Sequence, residues 1–85
     1  MSLSEWNFVL RAMSEAGQWI EDWFEYSEGK FMFEHEDLHR DENRNLICFL
    51  KVKSTVPDID NIIFRCEETM YGAKVTAYQK FCAED

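Results

Sequence analysis

One proline and three glycines in 85 residues leave the chain few places to turn sharply, so its punctuation is easy to read. Cysteine is equally sparse: Cys48, Cys66 and Cys82 are odd in number, widely spaced and never form a Cys-x-x-Cys pair. That excludes a disulfide framework or a zinc ribbon and fits free thiols in a reducing compartment. No apolar run approaches the roughly 18 residues that suggest a membrane span, and the first residues lack the basic-then-apolar order of a signal peptide. The expected protein is soluble and cytoplasmic.

Bases are scarce too, nine against seventeen acids, for a net charge of -8. Such a surface repels phosphate backbones and anionic membranes at long range, so neither nucleic acid nor membrane is an expected partner. Basic proteins would be attracted instead. The sequence also lacks a Gly-rich phosphate loop, a nucleophile elbow, a nucleotide fingerprint and a Cys-His-Asp arrangement. Neither an enzyme nor a cofactor is expected on those grounds.

Apolar bulk is present in quantity: 46% of the residues are hydrophobic, and seven Phe, three Trp and three Tyr supply the aromatics. Acidic chains without such bulk stay unfolded, because they bury too little surface to offset chain entropy. This one should form one compact domain over residues 1–85, with a small core that a partner chain would help to cover. The charge is uneven. Residues 30–53 hold five acids and five bases, while residues 1–29 hold six acids against Arg11 alone.

Leu3 to about Gly17 reads as a helix. Leu3, Trp6, Val9, Leu10, Met13 and Ala16 recur at three- and four-residue spacing, Ser2 and Glu5 fit a capping box, and Gly17 is a natural stop. Phe8 falls off that stripe and is expected to be a partly covered surface residue. Beyond Gly17 the period becomes alternating, which predicts a hairpin turning at Glu28-Gly29, with Tyr26 opposite Phe31 and Phe24 opposite Phe33. A second turn at Asp41–Arg44 would set Glu34 opposite Lys51 and Phe33 opposite Val52, putting Leu46, Cys48, Leu50 and Val52 on the core face. Ser54–Asn61, with Pro57, is a connecting loop.

The last third favours another hairpin, around Tyr71-Gly72, pairing Thr69 with Lys74 and Cys66 with Ala77. The alternative is a second helix at about 58–71 before a last strand. The fold class is therefore α+β, an N-terminal helix packed on one face of a four- or five-stranded antiparallel sheet. The face away from the helix would carry Trp19, Trp23, Met32, Leu38, Ile47, Phe49, Ile63 and Tyr78 among charges, more apolar than a solvated face usually is.

Two constellations bear on function. His35-Glu36-Asp37-Leu38-His39 is a literal His-Glu-x-x-His, which on a helix would aim two imidazoles at one zinc with the Glu as general base. Here the string follows a strand-like stretch, where the two rings would lie about 13 Å apart. One intervening position is the charged Asp37, and there is no third histidine. No metal site is expected, and His35 and His39 are at most its candidates. Aromatics give the other constellation, because Trp and Tyr bury much area while keeping a polar tip, as binding anchors do. If residues 17–26 instead extend the helix, Trp19 and Trp23 join the core and the interface loses its anchors.

The expected function is thus a small acidic non-enzymatic protein-binding or regulatory module. It would be a homodimer through an aromatic sheet face, with Trp19, Trp23, Met32, Phe49 and Tyr78 binding the partner. One alternative is an acidic inhibitor that mimics nucleic acid in the groove of a basic protein. A further alternative is a small zinc hydrolase using His35, Glu36 and His39.

Overall fold

The computed structural model describes residues 1–25 and 30–80, with the backbone alone for 78–80. The helix α1 spans Leu3–Phe24, and four strands follow: β1 (Phe31–Arg40), β2 (Leu46–Ser54), β3 (Ile62–Thr69) and β4 (Gly72–Lys80). They form one antiparallel sheet in the order β1-β2-β3-β4, so every sheet neighbour is also a neighbour in sequence. This is an α+β fold with one helix on one face, and residues 58–71 hold no second helix.

Helix α1 begins with a complete capping box. The Ser2 hydroxyl accepts from the Glu5 backbone N–H at 3.2 Å, and the Glu5 carboxylate accepts from the Ser2 N–H at 2.8 Å. The helix does not stop at Gly17, as its glycine suggests. The apolar spacing continues through Ile20 and Phe24, and tertiary packing outweighs the modest cost of a mid-helix glycine. The stop comes at Glu25, in the left-handed conformation at φ 61, whose N–H donates to the Glu21 carbonyl. The predicted strand is therefore absent over residues 22–25, and Phe24 does not pair with Phe33. Tyr26 and the Glu28-Gly29 turn lie outside the described residues.

The buried stripe is also rotated from the one expected. Phe8, Val9, Ala12, Ala16 and Ile20 face the sheet, and Phe8 is only 4% exposed. Leu3, Trp6 and Leu10 are the exposed ones, at 76%, 43% and 47%.

Register explains where the core sits. Glu34 opposes Lys51 and Phe33 opposes Val52, as the alternation predicts. Leu46, Cys48, Leu50 and Val52 are fully buried on the helix side with Phe64 and Cys66. Toward its end β1 bulges: Asp37 takes φ 56 and the register shifts between Glu36 and His39. The extra residue turns Leu38 onto the helix-side core instead of the opposite face. The β3–β4 hairpin is present, with Thr69 opposite Gly72 and Cys66 opposite Val75. That is two residues tighter than expected, a shift that keeps Ala73 to Ala77 on their predicted faces. Between Ile63 and Phe64 the register shifts again, by one, so the alternation expected beyond Ala77 does not hold.

Helix α1 does not lie over the middle of the sheet. Its backbone comes closest to β4, approaches β2 and β3, and stands away from β1. Small residues explain the offset, since Ala73 and Val75 of β4 let the helix settle there. On β1 the large rings of Phe31 and Phe33 stand beside it.

Candidate protein-binding surface

The offset leaves a groove of about 600 Å³ between α1 and β1. Leu10, Met13 and Gly17 form its helix wall, and Phe31 and Phe33 its floor. The two rings meet edge to face at 5.5 Å, and a Cβ at Gly17 would lie 3.9 Å from the Phe31 ring. At one end Trp6 meets His35 edge-on, with centroids 6.1 Å apart. Ser14, Gln18 and Glu21 line the mouth and keep it polar.

Helical geometry accounts for the exposed wall. The stripe Leu3, Trp6, Leu10, Met13 sits roughly 100° around the helix from Val9, Ala12 and Ala16, at 3.6 residues per turn. Together the two stripes make an apolar arc about twice as wide as one packed surface uses. The sheet takes one stripe and leaves the other beside the groove. The signal was in the sequence: Phe8, set aside as an isolated surface residue, is what centres the buried stripe on the other side of Val9.

Four of the five anticipated binding residues fall on two surfaces. Trp19 and Trp23 belong to α1, stacked on each other at 5.5 Å. They cannot share a sheet face with Met32 and Phe49, because no strand passes through them. Trp19 packs edge-on against Phe64 at 5.2 Å and so belongs to the core margin. Trp23 continues the same helical face yet is 71% exposed. Met32, 69% exposed, and half-buried Phe49 do share the back of the sheet, the face away from α1. Tyr78 lies in β4, and its side chain is outside the described residues.

Without the tryptophans the back face is an ordinary one. Ile47 is buried there, and Glu34 opposes Lys51 while Glu67 opposes Lys74 across strands. Arg65 reaches the Glu67 carboxylate at 3.4 Å. The unbalanced acid sits instead on the outer side of α1, at Glu15, Glu21 and Asp22.

The histidines are separated by the sheet itself. His35 opposes Leu50 on the helix side, whereas His39 opposes Ile47 on the back, its Nδ1 2.7 Å from the Asp37 carbonyl oxygen. A strand with a bulge thus replaces the helix that a zinc-binding His-Glu-x-x-His requires. Among the described residues no group of three or more His, Cys, Asp or Glu side chains is placed to hold a metal ion. Cys48 and Cys66 oppose each other across β2 and β3, both fully buried. Their mutual hydrogen bond, and burial after it, push the Cys66 thiol up, which keeps it protonated and unreactive. Among the described residues no helix is long and apolar enough to cross a membrane. Compared with protein families, curated proteins and solved structures, the chain finds no match.

Proposed function

We propose that the protein is a non-enzymatic protein-binding module that works as a homodimer through the α1–β1 side of the molecule. One observation carries the reading. Leu3, Trp6 and Leu10 lie exposed along one stripe, beside a groove floored by Phe31 and Phe33. Soluble monomers seldom leave contiguous apolar surface open, and a small domain gains most by covering it. The reading moves the binding surface from the back of the sheet to the helix–β1 side, because that is where the apolar surplus lies.

Light scattering tests it. At about 100 µM the expected mass is twice 10.2 kDa, and a clean monomer at that concentration overturns the proposal. The acidic-inhibitor reading retains one supporting observation, the acids Glu15, Glu21 and Asp22 on α1 and Glu25 at its cap, with Arg11 the helix's only base. A basic partner captured at low salt and released at high salt would favour it.

A further inference from the structure

The α1–β1 side ends in an open sheet edge. Among the described residues no strand pairs with the outer side of β1. Native edges are usually blunted by charge, proline or a bulge. The second half of β1 follows that rule, with Glu36, Asp37 and the bulge after Glu36. The first half does not: Phe31-Met32-Phe33 is regular, uncharged and carries Met32 69% exposed. We infer that β1 pairs with β1 of a second copy, antiparallel across a two-fold axis at Met32, joining two four-stranded sheets into one. This inference rests on the homodimer proposed above and names its contact.

Symmetry and charge select the register. A two-fold axis normal to the sheet keeps each face on its own side, so a residue meets either itself or one an even number of places away. Three centres fall within the regular stretch. Centring on Glu34 sets Glu34 against Glu34 and Phe31 against Asp37, which repel or mismatch. Centring on Phe33 pairs Lys30 with Glu36 but sets the apolar Met32 against the Glu34 carboxylate twice. Centring on Met32 pairs like with like: Met32 meets Met32, Phe31 meets Phe33 twice, and Lys30 meets Glu34 twice.

Two aromatic pairs and two opposite-charge pairs are the cross-strand combinations that stabilise an antiparallel sheet. The position also suits a chain of net charge -8, because residues 30–53 carry five acids and five bases and so escape the repulsion between copies. On the helix side, the Phe31 and Phe33 rings of both copies would form one row. Each copy then closes the open flank of the other's groove.

Sedimentation equilibrium on the full chain tests both levels. Lys30→Glu is expected to weaken dimerisation about tenfold, by turning two attractive pairs into repulsive ones. Lys30→Glu with Glu34→Lys should restore it, and Lys30→Glu with Glu36→Lys should not. Opposed residues on antiparallel strands have Cα atoms about 4.5–5.5 Å apart, within disulfide reach. With Cys82 replaced by Ser, Met32→Cys should therefore cross-link to dimer under mild oxidation, and Phe33→Cys should not. A dimer that resists Lys30→Glu, or that cross-links through position 33 and not 32, overturns the register while leaving the homodimer standing. A monomer at about 100 µM overturns both.

Discussion

The two halves of the sheet are covered unequally, and the difference follows from side-chain size. Over β2–β4 the helix lies close, and Leu46, Cys48, Leu50, Phe64 and Cys66 are completely buried. Beside β1 it stands away, so Phe31 and Phe33 stay half-buried although they point to the same side. One helix is about 10 Å wide, while four strands about 4.8 Å apart make a wider floor. A single helix therefore has to choose. Alanine and valine on β4 decide the choice, and the aromatic residues of β1 are left at the open flank. Stability should reside in one half and association in the other.

The sharpest way to break that comparison is to truncate one ring in each half, in the Lys30→Glu background and at a concentration where sedimentation shows only monomer. Phe64→Ala should cost ~3–5 kcal/mol, since its ring is fully buried between Trp19 and Phe33. Phe33→Ala should cost about half as much. Urea denaturation followed by circular dichroism measures both, and equal losses would refute the division. Next in size are the two stacked tryptophans. Trp19→Ala should cost ~2–3 kcal/mol through lost packing on Phe64, and Trp23→Ala under ~1 kcal/mol.

Gly17→Ala sharpens the comparison with an opposite sign. A Cβ there would meet only the Phe31 ring, at ordinary van der Waals distance. The variant should thus gain ~0.5–1 kcal/mol from the helix alone. A thermal melt that fell rather than rose would mean that the groove wall is already tight.

The smallest expected effect lies at the helix start. Hydrogen bonds from the Ser2 backbone and side chain hold the Glu5 carboxyl below its ordinary value. Because the folded value is depressed, the stabilisation is complete above the unfolded glutamate pKa and is lost as pH falls through the lower one. Far-ultraviolet dichroism from pH 7 to pH 3 should show fraying at the first turn in the wild type. Glu5→Gln should remove that component.

Particular residues show what was legible beforehand. Glu34 with Lys51 and Phe33 with Val52 could be paired in advance because alternation, turn length and charge all agreed. The extent of α1 could not, because its C-terminal stop is Glu25, a residue with no preference for the left-handed conformation it adopts. Trp19 and Trp23 alternate with Phe24 as a strand would, yet their four-residue spacing fits a helix equally well. Leu38 was misplaced for a similar reason, since one bulged residue reverses an alternation that otherwise holds. The groove was hidden more deeply. It depends on where the helix settles, and that is set by Ala73 and Val75, far away in sequence.

That same contact has a consequence for how the chain is made. Helix α1 is synthesised before all four strands, and its closest neighbour, β4, after the other three. At a synthesis rate of about 5–20 residues per second, the helix spends on the order of several seconds with its apolar arc uncovered. The β1–β2 hairpin appears in that interval and offers Leu46, Cys48, Leu50 and Val52 of β2, but not the strand against which the helix packs most. The nascent chain therefore passes through a stage in which the side of α1 that later meets β4 has nothing to rest on, and a holding chaperone would find it most receptive then.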